Sequence, residues 1–275
     1  MFLEEARKMF TIPAPLSDPV LLSGFMVPIS TGVLWALYKY CSWTDFLAWT
    51  LDKYHSWTIH RSSVDMNILR DLHKSVLFNS VHGKPESVML VYKAHAPLRS
   101  HMCSLLFYPD QDLFLAEVVT QIRPQTSLTL GTQFGYSAIR LLSLLPSSSK
   151  LYAVEQDKNV AELVEELILM SGFKHTQFHL LTRHPTDAIL ALINDFGFMK
   201  IDLILMDHQP FHYLENLRIM EETGVLHSGT IILANHINDA TAKKFMKHIE
   251  SDKHYRIIST FKDLLKIEFV GPCLS

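Results

Sequence analysis

Two pairs of polar side chains follow apolar runs in the second half of the sequence. Asp207 and His208 follow the run IDLILM, and Asn235 and His236 follow the run TIILA. Such runs are typical of strands that are covered on both faces. Side chains at the ends of neighbouring parallel strands converge on one cleft. Oxygen ligands suit Mg²⁺ and imidazole favours softer ions; alternatively, these residues cap helices or line an organic pocket without metal.

A glycine turn follows an earlier run, SLTLG. Gly131 allows a tight turn with close approach of a ligand, and Gly135 opens a helix whose N-terminal amides suit an anion. Glu155 ends the next predicted strand, where an acid accepts the hydroxyls of a ribose. The pattern predicts a nucleoside-bearing cofactor; an ordinary turn and a helix-capping acid are the alternative. The spacing is not that of a GxGxxG dehydrogenase loop, and Walker A is absent.

An alternation of strands and helices positions these side chains. The predicted strands are Ser127–Gly131, Lys150–Glu155, Gln177–Thr182, Ile201–Met206 and Thr230–Ala234, followed by a hairpin-like pair, Tyr255–Ser259 and Leu265–Val270. The predicted helices are Asn67–Asn79, Gln111–Ile122, Tyr136–Leu145, Asn159–Met170, Thr186–Asp195, Tyr213–Glu222 and Ala240–Ser251, with loops at His82–Pro85 and Lys93–Pro97. This alternation predicts an α/β fold with a doubly wound, mostly parallel, seven-stranded Rossmann-like sheet.

Composition excludes several classes of protein. The 275 residues include 25 basic and 28 acidic side chains, a net charge of −3, and 48% are hydrophobic. A disordered chain, a collagen-like chain and a basic nucleic-acid binder are therefore excluded, and we expect no nucleic-acid partner. Three scattered cysteines do not make a disulfide scaffold.

The N-terminal part of the chain has a different character. Residues 19–38 contain no charged side chain and are long enough to cross a bilayer, so we predict a single transmembrane or membrane-embedded helix in contact with lipid. A buried core helix and a signal peptide are the alternatives. A tail, 1–18, precedes this helix, an aromatic juxtamembrane segment, 39–63, follows it, and the globular domain is 64–275. Flanking charges leave the sidedness open.

Several segments together resemble the catechol O-methyltransferase family and its membrane-anchored members. They are GTQFGYSAIRLLSLLP, LYAVEQD, LILMDHQPFHYLENLRIMEETGVLHSGTIILANH and the final VGP, in order and at compatible spacing. The resemblance extends through roughly residues 66–275. It implies a class I methyltransferase fold and methyl transfer from S-adenosylmethionine to a hydroxyl of a catechol-like small molecule.

The resemblance implies roles for individual cofactor residues. Gly131, Tyr136 and Ser137 fall where the family holds the methionine moiety. Glu155 falls on the acid that binds the ribose, and Gln156 lies beside the adenosine.

It also implies a metal site, which the family fills with Mg²⁺. Asp207 falls on a metal-ligating Asp near the sulfonium, and His208 matches a His on the adenine side. Asn235 and His236 fall on the other two metal ligands, which are Asp and Asn in the family. One carboxylate therefore remains where the family has two.

Other departures affect catalysis. The general-base lysine of the family corresponds to Pro210, and a tryptophan nearby corresponds to Gln209. A glutamate on the first strand is Thr129, and the Ser-Gln pair at the adenine is Pro185 followed by Thr186. A glutamate that faces the catechol has no evident counterpart.

Two functions are compatible with this combination of retained and replaced family residues. In the first, the chain is a methyltransferase in which His208, His212 or His236 replaces the lost base, whose loss typically costs 10²–10⁴ in rate. In the second, the chain is a non-catalytic binding or scaffolding module at a membrane, with a membrane-protein partner and no small-molecule acceptor.

Overall fold

The computed structural model describes residues 66–95, 106–107, 109–132, 134–197 and 200–271. All of them belong to the unit Val64–Ser275. The predicted tail, transmembrane helix and juxtamembrane segment, 1–63, lie outside the described residues. Within the described ranges, no helix combines the length and the apolar character that crossing a bilayer requires.

The described part of the chain folds into helices and strands that alternate from β1 to β6, and β7 follows β6 in a hairpin. The helices are α1 (Met66–Asn79), α2 (Pro85–His95), α3 (Pro109–Ile122), α4 (Tyr136–Leu144), α5 (Lys158–Met170), α6 (Pro185–Asn194), α7 (Tyr213–Glu222) and α8 (Lys243–Ser251). The strands are β1 (Thr126–Leu130), β2 (Lys150–Glu155), β3 (Phe178–Thr182), β4 (Leu203–Met206), β5 (Ile231–Ala234), β6 (Tyr255–Phe261) and β7 (Leu264–Phe269). Short 3₁₀ turns, Pro210–His212 and Ala240–Ala242, precede α7 and α8.

The seven strands form one sheet in the order β3-β2-β1-β4-β5-β7-β6. The first five are parallel, and β7 runs antiparallel to both β5 and β6. The predicted Rossmann-like sheet with a terminal hairpin is therefore confirmed. The chain order reverses between β1 and β4, and ligands of such sheets bind at this switch point, outside the carboxyl ends of the strands.

Alternating side chains of the central strands build a core on each face of the sheet. On β4, Leu203 and Leu205 pack with α1–α5, whereas Ile204 and Met206 pack with α6–α8. Successive strand residues point to opposite faces, so a strand covered on both sides must be apolar throughout. This requirement explains the uninterrupted apolar runs, and it fixes the strand ends as rigid supports for polar residues.

One predicted loop is wrong in part. Residues 93–95 of the predicted loop Lys93–Pro97 form the last turn of α2, which begins at Pro85. Val88 and Tyr92 are fully buried on one face of this helix, four residues apart. Because that apolar face is anchored in the core, the helix continues past the polar residues that suggested a loop.

Candidate cofactor and metal site

The turn after β1 packs directly against the end of β4. Gly131 has φ 87°, in the left-handed region, and its amide donates to the carbonyl of Val154 at 3.1 Å. A Cβ at this position would lie 2.7 Å from the carbonyl oxygen of Asp207 and 2.8 Å from Cβ of His208. The glycine is therefore required twice, by its backbone conformation and by the contact with the neighbouring strand.

A second glycine opens α4. Gly135 also has a left-handed φ, 86°, and its amide donates to the carbonyl of Thr132 at 2.6 Å. The hydroxyl of Tyr92 donates to the carbonyl of Phe134 at 2.5 Å and holds the turn from α2. Tyr136 is buried with its ring 5.7 Å from that of Tyr92, and this burial raises the pKa of its hydroxyl. The predicted cofactor residue Tyr136 is thus a packed side chain beneath the turn.

The glycine turn and the acid of β2 are joined by a side-chain hydrogen bond. The hydroxyl of Thr132 donates to Oε2 of Glu155 at 2.8 Å, and the amide of Asp157 donates to Oε1 at 3.2 Å. Glu155 is only 8% exposed, and burial raises its pKa although both hydrogen bonds lower it. Gln156, the other residue predicted beside the adenosine, is exposed.

The ends of β4 and β5 bring three predicted metal ligands together. Nδ2 of Asn235 donates to Oδ1 of Asp207 at 3.0 Å, and Nε2 of His236 lies 3.7 Å from the same oxygen. Burial raises the pKa of Asp207, which is 3% exposed; His236, Asn235 and the hydroxyl of Ser137 oppose this rise. Oδ1 of Asn235 is buried and has no hydrogen-bond partner within the described residues.

His208 is fixed by partners on both ring nitrogens. Nδ1 lies 3.2 Å from the carbonyl of Leu130, and Nε2 lies 2.8 Å from Nδ2 of Asn216. The hydroxyl of Thr186 donates to Oδ1 of Asn216 at 3.2 Å. This bond orients the amide so that its nitrogen faces His208. Nδ1 is therefore the protonated nitrogen, and Nε2 accepts from the amide. Burial lowers the pKa of His208 to about 3, so the ring is neutral.

His212 has a more open environment. It ends the 3₁₀ turn that starts at Pro210, and its side chain is 27% exposed. Nδ1 lies 3.4 Å from Oε2 of Glu215, and the ring meets that of His184 edge-on at 5.6 Å. Of the three histidines predicted as a base, His212 is the one whose Nε2 has no hydrogen-bond partner within the described part of the chain.

A carboxylate that the sequence did not suggest completes this region. Asp263, in the turn between β6 and β7, places Oδ2 3.4 Å from Nδ1 of His236. Its Oδ1 accepts from the amide of Asn238 at 2.7 Å, which ties the turn to the chain that follows β5. His236 itself has a left-handed φ of 56°. The only sign of Asp263 in the sequence was a polar stretch between the two strands of the terminal hairpin. Such a stretch does not show which residue of another strand Asp263 contacts.

A separate group of ligand-type side chains lies where the parallel strands begin. Glu221, His248 and Asp252 approach one another there, and the hydroxyl of Tyr255 donates to Glu221. This group therefore lies at the opposite end of the strands from Asp207.

The chemistry of the donors suits a nucleoside at the end of β2 and a divalent cation at the ends of β4 and β5. A buried carboxylate at the end of β2, tied to the glycine turn, suits the hydroxyls of a ribose. Asp207, Asn235 and His236 offer one carboxylate, one amide and one imidazole within 3.7 Å of one another. An amide oxygen that is buried without a partner is costly. Turning the amide of Asn235 over would bring this oxygen to the place of Nδ2, where a cation between the three groups would satisfy it.

Comparisons with known proteins agree with this architecture. The family model described as O-methyltransferase matches residues 84–262, more than half of the chain. A protein named Transmembrane O-methyltransferase from Propithecus coquereli is 29% identical over 184 residues, covering 66% of this chain and 65% of that protein. Catechol O-methyltransferase B from Danio rerio is 26% identical over 190 residues, covering 67% of this chain and 69% of that protein.

The chain matches less than two thirds of the length of several relatives named Transmembrane O-methyltransferase, between 60% and 65%. Among solved structures, an O-methyltransferase from Bacillus cereus in complex with SAH superposes with a TM-score of 0.55 at 20% identity, covering 72% of this chain and 94% of the other. At this identity the similarity speaks for the fold. The match of the family model, together with these relatives, shows that the chain belongs to the O-methyltransferase family.

Proposed function

We propose that the chain is a membrane-anchored O-methyltransferase that transfers a methyl group from S-adenosylmethionine to a hydroxyl of a catechol-like small molecule. The observation that carries this proposal is the hydrogen bond between Thr132 and Glu155. It joins the glycine turn to the acid of the next strand, directly beside the end of β4. This hydrogen bond supports a single cofactor site that combines two features of the sequence, the glycine turn and the acid.

Each part of this site has a role in holding the cofactor. Glu155 accepts the ribose hydroxyls, and Gln156, exposed beside it, contacts the adenosine. The turn from Gly131 to Gly135, with Ser137 in the first turn of α4, faces the methionine end. Asp207 lies under the sulfonium, whose positive charge favours an ionised carboxylate nearby. His208 limits the adenine side, where its fixed ring provides a flat neutral surface.

Methyl transfer is a displacement in line with the bond that breaks. The acceptor oxygen forms a bond to the methyl carbon while the carbon–sulfur bond breaks, and S-adenosylhomocysteine leaves. The hydroxyl proton passes to a base, and we assign this role to His212 because the ring nitrogens of His208 are both engaged. A divalent ion, when bound by Asp207, Asn235 and His236, would acidify and orient the hydroxyl.

Residues 19–38 anchor the protein in a membrane in this proposal. Their apolar run and the names of relatives from several mammals support it. The full chain should stay with membranes after an alkaline carbonate wash. Replacing Val27 and Ile29 by Arg should release it, because an Arg at the centre of a spanning helix costs about 2.5–3.5 kcal/mol. Release of the unchanged chain would contradict the anchor.

A binding module without catalysis is the second candidate. Pro210 favours it, because a proline at the position of the family's lysine cannot accept a proton. Such a module would keep the cofactor surface or the fold as a docking unit beside the membrane, with lipid and a membrane protein as partners.

A methyl-transfer assay separates the two candidates. The full chain in detergent is incubated with S-adenosylmethionine labelled on its methyl group and a panel of catechols. The enzyme should yield a labelled ether that His212→Gln reduces about 10²-fold or more, while the matched variant His175→Gln, on an exposed side chain, keeps the rate. Absence of product from a chain that binds the cofactor would support the module instead.

A further inference from the structure

We infer that the ends of β4 and β5 bind a first-row transition-metal ion, such as Co²⁺ or Zn²⁺, in preference to Mg²⁺. The ligands are Asp207, Asn235 and His236. Asp263 is the positioning residue that holds the ring of His236. The inference deepens the proposed function, on which its connection with catalysis rests.

The ends of the three side chains have the spacing of metal ligands, when the place of the amide nitrogen of Asn235 is taken by its oxygen after the amide is turned over. Oδ1 of Asp207 lies 3.0 Å from the amide nitrogen of Asn235 and 3.7 Å from Nε2 of His236. The third side of this triangle, from the amide to the imidazole, is 3.4 Å. Ligand atoms that surround one ion at 2.0–2.2 Å are separated by roughly 3 Å. The triangle therefore has the size of one face of a metal coordination shell.

The amide of Asn235 has a buried oxygen that a bound cation would satisfy. Its Oδ1 is buried and lacks a hydrogen-bond partner within the part of the chain that the structure describes. Leaving such an oxygen unpaired costs about 1–3 kcal/mol. Turning the amide over exchanges Nδ2 and Oδ1, so that the oxygen faces Asp207 and His236. A cation between the three groups removes the repulsion that this orientation would otherwise create.

A carboxylate lies behind the ring of His236, on the side away from Asp207. Oδ2 of Asp263 lies 3.4 Å from Nδ1, while Nε2 points toward Asp207. A histidine that binds a metal usually donates its other N–H to a carboxylate, which selects the tautomer and orients the ring. Asp263 is fixed for this purpose, because Oδ1 accepts the amide of Asn238 at 2.7 Å. The backbone of His236, at φ 56°, turns its ring between the two carboxylates.

The composition of this donor set decides the type of ion. Mg²⁺ prefers oxygen ligands and anionic charge, whereas imidazole suits zinc and its neighbours. The site offers one carboxylate, one neutral amide oxygen and one imidazole. Asn235 and His236 stand where the family has Asp and Asn. The double variant Asn235→Asp with His236→Asn restores those residue types and gives two carboxylates and an amide. Asn also tolerates the left-handed backbone at 236, so this double variant respects the local conformation.

Calorimetry and visible absorption with Co²⁺, and calorimetry with Mg²⁺, test the inference on the full chain in detergent. The unchanged chain should bind Co²⁺ at least about tenfold more tightly than Mg²⁺ and show d–d absorption bands. Asp263→Asn keeps an acceptor for Asn238 and should weaken Co²⁺ binding by about 10–100-fold, with altered bands. The double variant should reverse the preference toward Mg²⁺.

Two controls make the result specific. His248→Asn removes one ligand from the separate group Glu221, His248 and Asp252 and should leave Co²⁺ binding unchanged. Circular dichroism and the affinity for S-adenosylhomocysteine should be the same in Asp263→Asn and in the unchanged chain. Equal affinity for Mg²⁺ and Co²⁺, or Co²⁺ bands that Asp263→Asn leaves untouched, would overturn the inference. A chain that binds Co²⁺ without binding S-adenosylhomocysteine would overturn the proposed function alone.

Discussion

The hydroxyl of Thr132 donates a 2.8 Å hydrogen bond to Oε2 of Glu155 and thereby connects the loop after β1 with the end of β2. The carboxylate is buried, and burial raises its pKa above the ordinary value. A charge held in such a place costs folding free energy, and sites that bind ligands commonly retain this kind of cost. The cost of this carboxylate leads to a prediction about stability and function together.

Glu155→Gln should stabilise the protein at neutral pH and weaken cofactor binding. Glutamine keeps the shape, and Thr132 can accept from its amide while Asp157 donates to its oxygen. We expect the melting temperature to rise by roughly 2–4 °C, as about 1 kcal/mol gives in a domain of this size. Differential scanning calorimetry measures the change, and the exposed Glu162→Gln is the matched control.

The same variant has a predictable pH dependence. Because the folded pKa of Glu155 is raised, the folded state binds the proton more tightly than the unfolded chain. Stability therefore falls as pH rises through the raised pKa, and the advantage of Glu155→Gln is complete only above it. The advantage should shrink as pH falls through that range and vanish below the ordinary value. An advantage independent of pH would argue against a buried charge.

Gly131→Ala should destabilise the fold more than Gly197→Ala. Both glycines have a left-handed φ, which costs an alanine about 1–2 kcal/mol. A Cβ at Gly131 additionally meets the carbonyl of Asp207 at 2.7 Å, whereas a Cβ at Gly197 meets nothing within 4 Å. Urea denaturation should give a difference between the variants of about 1–3 kcal/mol, the usual cost of overpacking. Equal losses of unfolding free energy in the two variants would show that the turn at Gly131 is not in close contact with the residues that follow β4.

Asn216→Ala should cost about 1–3 kcal/mol of unfolding free energy, because it leaves Nε2 of the buried His208 without its donor. Thr186→Ala removes only the outer bond of the same chain and should cost less, about 0.5–1.5 kcal/mol. Nitrogen NMR of the unchanged protein at neutral pH should find His208 neutral and protonated on Nδ1. A ring protonated on Nε2 would contradict this network.

Pro210→Lys should increase methyl transfer, provided that proton removal by His212 limits the reaction. The variant restores the residue type that the resemblance places at this position, where Pro210 begins a 3₁₀ turn. We expect an increase of about tenfold or more in kcat, within the range that a general base contributes. Initial rates with a labelled methyl donor measure it, and an unchanged kcat would indicate that proton removal is not limiting.

The sequence predicts the type of sheet well because the central strands are buried on both faces. Apolar runs such as Leu203–Met206 are typical of strands that helices cover on both sides, so a mostly parallel, doubly wound sheet follows from them. The contact between Asp207 and Asn235 also follows from the sequence, because neighbouring parallel strands place their carboxyl ends side by side.

Contacts between distant segments were beyond prediction. Asp263 reaches His236 only because the terminal hairpin folds back beside β5 in one particular register. Asn216 and Thr186 engage His208 through the packing of α6 and α7, and no spacing in the sequence encodes this chain of bonds. The helix α2, Pro85–His95, is absent from the predicted elements, and it depends in the same way on a buried face that includes Tyr92.

Titration calorimetry of the full chain with S-adenosylhomocysteine tests the central claim most directly. We predict saturable binding at one site, which Glu155→Gln weakens at least about tenfold and Glu162→Gln leaves unaffected. A folded protein that releases no heat with millimolar ligand, or that binds equally well without the Glu155 carboxylate, would contradict it.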